Sequence, residues 1–265
     1  MTGLLLFIVC AGLLGWFLFR KPQGTAIAYA LPANYQDLLM GHVAFYRSLD
    51  EADRLRFVAR LQEFLGYTRV HGVNTSVDEL DKLLVASSAV IPIFGFSNWH
   101  YHNLRDVLLY EDAFNSDDFT ASAKDNTLGM VGTGAMQRMM ILSKPALRQG
   151  FQNDTDKNNT GIHEFVHLLD KADGEVDGIP EQLLHRQYCI PWLNEMNESI
   201  QEIKKGRSDI NPYGSTNKAE FFAVAAEYFF ERPGLFKKKH PELYELMEEA
   251  FNQQPATDKP SAKKE

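Results

Sequence analysis

The sequence predicts an α+β fold: a mostly helical domain with a small mixed sheet, preceded by one N-terminal transmembrane helix. Three observations predict it. Apolar residues recur at helical spacing through most of the chain after residue 35, short runs of strand type occur in only a few places, and residues 3–19 (GLLLFIVCAGLLGWFLF) carry no charge. At 265 residues and 45% hydrophobic content, the chain suits one domain with a sizeable core.

Residues 3–19 lie near the short end of what spans a bilayer, about 17–25 residues. Arg20 and Lys21 follow the run and no basic side chain precedes it, which places the C-terminal side in the cytoplasm. A cleaved signal peptide carries its basic residues before the apolar run. A lipoprotein signal needs small residues before its cysteine, whereas Ile8 and Val9 precede Cys10. The expected organisation is therefore a retained anchor over 1–22, a linker over 23–36, one domain over 37–254 and a disordered tail over 255–265, with the domain facing the cytoplasm at the inner membrane. The two cysteines, Cys10 and Cys189, do not pair in this arrangement. A net charge of −8 opposes direct nucleic-acid binding.

From Tyr35 to Leu65 the pattern is helical, with Leu49, Leu55, Val58, Leu61 and Leu65 in register. A second helix runs over 77–94 and ends or kinks at Pro92. Val107–Tyr110 reads as a short buried strand. Residues 117–135 are polar and Gly-rich, a loop or weak hairpin, and Met139–Leu142 forms the apolar centre of another strand. A helix then starts after the polar lead-in at 152–160 and stops near Gly174. Further helices follow over 185–206, with Pro191 near the start, from about Asn217 to Arg232, and over 241–253.

The stretch GIHEFVHLLDKADG, residues 161–174, carries the chemistry. At about 100° per residue, His163, His167 and Asp170 share one face, while Ile162, Phe165, Val166 and Leu169 cover the opposite side. Two imidazoles one turn apart reach a single ion, and Glu164 sits beside them as a base for metal-assisted hydrolysis. An open site of imidazole and carboxylate suits one Zn2+.

A third ligand is needed. Asp173 stands six residues after His167, but Asp170 occupies the place where that longer pattern turns on a glycine. Glu220 is favoured: it shares a face with Val224 and Glu227 on an otherwise very apolar helix. Its competing role is a capping box with Asn217. Glu227 and Asp170 then support the ligands, Asp170 by accepting a hydrogen bond from a ligand histidine. His100 and His102, at alternate spacing, raise the weaker prospect of a second metal site.

HEFVHLLDKADG, with NPYGSTNKAEFFAVAAEYFFERPGLF downstream, resembles the zinc-dependent peptidase family of Mlc titration factor A. The downstream match rests on Tyr213, Ala219, Glu220, Phe222, Ala223, Val224, Glu227, Tyr228, Phe229 and Phe230, and the likeness extends over about residues 45–255. The resemblance implies a zincin-like domain, His163 and His167 as zinc ligands, Glu164 as general base and Glu220 as third ligand. It also implies peptidase or aminopeptidase activity on a peptide or protein substrate, and binding of a transcriptional repressor. For such hydrolysis Tyr213, on the loop before Glu220, is the candidate donor to the developing oxyanion. The strand Met139–Leu142 is the candidate edge for pairing with an extended peptide.

Overall fold

The computed structural model describes residues 29–115, 127–132, 136–153 and 155–255. The expected anchor, the first part of the linker and the tail beyond residue 255 lie outside these. Among the described residues no helix is long and apolar enough to cross a membrane.

Helices flank a four-stranded mixed sheet. The helical pattern from Tyr35 resolves into three helices: α1 (Tyr35–His42), α2 (Ala44–Ser48) and α3 (Glu51–Tyr67). Val43 and Leu49 are extended between them, and the Asp50 side chain caps α3 by accepting the Asp53 N–H. Periodicity alone does not reveal such breaks, because the apolar face resumes in nearly the same phase.

The first strand, β1 (Arg69–Val73), is missing from the sequence reading. RVHGV is polar and mostly exposed, and pairing with the buried β2 (Asp106–Tyr110) overrides its weak local preference. Helix α4 (Glu79–Ile93) crosses between these parallel strands, with Pro92 in its last turn. Its capping box, Asp78 and Asp81, also receives Arg148 from α5 (Lys144–Gln152), another element absent from the sequence reading.

The sheet order is β1-β2-β4-β3, where β4 is Met139–Ser143 and β3 is Gly129–Val131. β3 alone runs antiparallel to its neighbour. This corrects one expectation: the Met139–Leu142 strand has no free edge, because β2 and β3 occupy both sides of it. Among the described residues, the outer strand on that side is β3. Val107, Leu109, Met140 and Leu142 pack into the helical core, while Tyr110, Phe114 and Ile141 form a smaller cluster across the sheet.

Helix α6 (Thr160–Asp170) carries the histidine motif and continues as a 3-10 turn (Lys171–Asp173), which Gly174 ends at φ 108°. A side chain at that φ would be strained, so the glycine lets the chain turn away from the helix. Helix α7 (Arg186–Lys204) holds Pro191 in its second turn, near its start as expected. Helices α8 (Lys218–Glu231), α9 (Pro233–Lys239) and α10 (Pro241–Phe251) follow, with α9 unforeseen because it lies in a single helical turn pair after Arg232-Pro233. Nearly all of α8 is buried, and Phe222 stacks on Phe251 with ring centroids 5.6 Å apart. Its exposed first turn meets the polar face of α6. Ile162, Phe165, Val166 and Leu169 are buried on the other face, so core packing fixes the direction in which the two histidines point.

Candidate metal centre

Asn159 sets the start of α6. Its side-chain oxygen accepts the Ile162 N–H at 3.0 Å, and its amide donates to the Gly150 carbonyl at 2.9 Å. One turn inside the helix, His163 and His167 bring their Nε2 atoms to 3.1 Å of each other. Glu220, in the first turn of α8, places Oε2 at 3.0 Å from His163 Nε2 and 3.4 Å from His167 Nε2. The expected conflict with capping resolves by division of labour: Asn217 takes the Glu220 backbone N–H at 2.9 Å, which leaves the carboxylate free to face the imidazoles.

Glu227, two turns along α8 and only 2% exposed, accepts from His163 Nδ1 through Oε1 at 2.7 Å. Its Oε2 accepts the Asn159 backbone N–H, so one carboxylate fastens both the ring and the start of α6. With the proton on Nδ1, the neutral His163 ring turns its Nε2 lone pair toward Glu220. Lone pairs from two rings and a carboxylate then converge, and that arrangement requires a positive charge between them. Tetrahedral bonds of about 2.0–2.1 Å space their ligands about 3.3 Å apart, close to the three separations here. The donor set of His163, His167 and Glu220 therefore fits a divalent ion of zinc type, and these three are the group among the described residues able to hold one.

Electrostatics tell the same story without an ion. Burial works against an imidazolium at His163, but Glu220 and Glu227 outweigh it and lift the ring to about 10. Burial likewise works against the Glu220 carboxylate, and hydrogen bonds from His163 and His167 hold it near 2. These are one attraction seen from its two ends.

Glu164 is 7% exposed and lies against β3. A Cβ on Gly129 would stand 2.5 Å from Glu164 Oε1, so only glycine allows the strand this close. Burial raises the Glu164 carboxyl, opposed by His163 and His167. Tyr213 sits in a 3-10 turn (Pro212–Ser215) that Asn211 caps, with its ring 6.0 Å from that of His163 and half exposed. Burial and the Glu220 and Glu164 carboxylates raise its phenol, which keeps it a proton donor at neutral pH. Two hollows of about 590 and 500 Å³ meet here, and His163, Glu164, Tyr213 and Gly129 line both.

One expectation changes. Asp170 Oδ2 accepts the Gly178 N–H at 2.9 Å rather than a ligand ring N–H, and neither its Oδ1 nor His167 Nδ1 has a hydrogen-bond partner among the described residues. It secures the loop after α6. Asp173 accepts from the backbone of Glu175 and Glu181, away from the metal ligands. His100 and His102 sit in a loop, the reading favoured over a second metal site, with Glu63 at 3.6 Å from His100 as the nearby carboxylate, and they form no metal-binding group among the described residues. Nothing in the sequence singles out Asn159 or Gly129. A cap was expected somewhere in 152–160, but several polar residues offered one, and a strand glycine gives no hint of which side chain it admits.

Comparison with known proteins agrees with this geometry. The family described as glucose-regulated metallo-peptidase M90 matches residues 18–252. An uncharacterized protein, slr2042, of Synechocystis sp. is 28% identical over 90% of this chain and 87% of its own length. Mlc titration factor A of Escherichia fergusonii is 29% identical over 80% of this chain and 84% of its own, and that of Escherichia coli (strain 55989 / EAEC) 26% over 89% and 91%. The HExxH helix, the carboxylate from α8 and a match over nearly the whole described fold lead to one assignment: this chain belongs to the glucose-regulated metallo-peptidase M90 family.

Proposed function

We propose that the protein is a zinc-dependent peptidase, with Glu164 as general base. The observation that carries this reading is the convergence of His163, His167 and Glu220 beside a buried Glu164 where two open hollows meet. Zinc bound by the three would polarise a peptide carbonyl and acidify water. Glu164, made more basic by burial, takes the proton of the attacking water and delivers it to the leaving nitrogen. Tyr213 keeps its proton and donates to the carbonyl oxygen as charge develops there. Glu227 holds the His163 ring in its tautomer throughout. The edge of β3, beside Glu164, supplies backbone partners for an extended substrate.

The test compares the full chain with Glu164→Gln on chromogenic aminoacyl and internal-peptide substrates, with and without chelator. The variant should keep its zinc and lose turnover by about 10²-fold or more. A wild type that purifies without zinc, or whose turnover ignores chelator, overturns the reading. The same substrate panel separates aminopeptidase from internal cleavage.

A second reading has its own support. Relatives carry the name Mlc titration factor A, which favours a regulatory protein partner such as a transcriptional repressor. Tight partner binding with no turnover on any substrate selects it. The uncharged run at 3–19, followed by Arg20 and Lys21, supports tethering at the cytoplasmic face of the inner membrane. Recovery of the full chain in the soluble fraction overturns that part.

A further inference from the structure

Beyond the C-terminal end of α6 lies a separate hollow of about 450 Å³, lined among others by Trp99, His100, His102, Arg138, Leu168 and Lys171. Its charge is unusual for a chain of net −8: two permanent cations and two imidazoles face it, and no carboxylate lines it. The nearest candidates for neutralising it are engaged elsewhere. Glu63 approaches His100 at 3.6 Å but also pairs with Arg60 at 3.6 Å, and Asp173 accepts backbone N–H groups of Glu175 and Glu181. Arg138 is exposed and has no ion pair among the described residues, and Lys171 donates only to the Gly132 carbonyl, at 3.0 Å. The Trp99 ring forms part of the wall. Two cations in one hollow with no carboxylate in its lining call for an anion.

Lys171 also lines the hollow at the metal ligands, so the two spaces adjoin across its side chain. It stands one helical turn after His167, a rise of about 6 Å. An extended chain covers that distance in about two residues. An acidic side chain two or three residues along an extended peptide from the metal ligands would reach this place.

We propose that this hollow is a subsite for an acidic residue of a peptide substrate, two or three positions from the bond cleaved. The proposal rests on the peptidase reading. The carboxylate sits between Arg138 and Lys171, with the aromatic and imidazole rings against its aliphatic stem. The subsite thereby selects for acidic sequences in a protein that is itself acidic.

The test uses peptide pairs that differ only by Glu against Gln, placed in turn at each of the three positions on either side of the cleaved bond. Two quantities are measured: kcat/KM with the zinc-loaded wild type, and binding by calorimetry to zinc-loaded Glu164→Gln. Both should favour Glu about tenfold at one position, as expected for a hydrogen bond to a charged group. Arg138→Gln, a surface change, should reduce that ratio to about two or less. Equal rates for Glu and Gln peptides at every position overturn the subsite, as does a preference that survives Arg138→Gln. If no peptide is cleaved but Glu peptides still bind more tightly in an Arg138-dependent way, the peptidase reading fails and the acidic subsite stands.

Discussion

Glu227 Oε1 lies 2.7 Å from His163 Nδ1, and this contact decides which nitrogen of the ring is free for a metal. Because Glu227 is only 2% exposed and also accepts the Asn159 N–H, it cannot swing away without loosening the start of α6. Glu227→Gln keeps an acceptor of nearly the same shape but loses the charge. Such supporting partners are worth about 10–100-fold in metal affinity. Zinc affinity, measured by competition with a chromogenic chelator, should fall within that range, while Glu227→Leu should fall further and lower thermal stability as well.

Gly129 allows Glu164 its place. Alanine there puts Cβ 2.5 Å from Glu164 Oε1, and the carboxylate has to move. β3 is a three-residue edge strand, so the fold should tolerate the change. Gly129→Ala should leave zinc content intact and lower kcat by about 10²-fold, the scale of a misplaced general base. Single-turnover kinetics with parallel metal analysis checks this, and a kcat equal to wild type argues against contact between Gly129 and the working base.

How much of this was legible beforehand follows from what periodicity encodes. His163, Glu164 and His167 were readable because one helix face is buried by Phe165, Val166 and Leu169, which forces the motif toward the opposite side. Glu220 and Glu227 were readable because carboxylates on so apolar a helix demand a partner. Their division into a carboxylate facing the metal ligands and one behind them is readable too, but not that Glu227 holds Nδ1 of His163 in particular, since that depends on the depth at which α6 crosses α8. β1 was missed because its stability comes from β2 rather than from RVHGV itself. The role of Asp170 is not legible, because sharing a helix face with a histidine does not reveal the competing Gly178 N–H, which arrives from a later loop.

Asp209 ties the region behind the site together. It accepts from Lys157 at 2.9 Å, Tyr228 at 2.8 Å, Lys239 at 3.0 Å and His240 at 2.8 Å. Burial alone would raise its carboxyl, but these donors hold it well below the usual range. Asp209→Asn should cost about 2 kcal/mol at neutral pH, because four donors lose a charged acceptor. The sign of the pH effect follows. A depressed carboxyl stabilises the fold above its unfolded value of 3.8 and loses that contribution as the pH falls below it. The stability gap between wild type and variant should therefore narrow steadily as the pH falls from about 4 to 2 without closing by pH 2, which urea titrations across that window would show.

Glu231 predicts the opposite slope. It lies one turn after Glu227 on α8, its Oε2 accepts the Asn158 N–H at 3.1 Å, and its buried Oε1 has no partner. Burial, then the Glu227 and Asp156 charges, raise the carboxyl from 4.5 to about 8. Between those values the folded protein holds a proton that the unfolded chain has released, so stability falls as pH rises through the window. A glutamine at 231 still offers a carbonyl to Asn158 but has nothing to ionise. Glu231→Gln should thus be more stable than wild type at pH 8 by at least about 1 kcal/mol, since a tenfold difference in proton affinity between the folded and unfolded chain is worth about 1.4 kcal/mol. The advantage should shrink steadily toward pH 4.5, the ordinary value for a free glutamate, and equal urea midpoints for the two proteins at pH 5, 7 and 9 would show that this carboxyl ionises without cost to the fold.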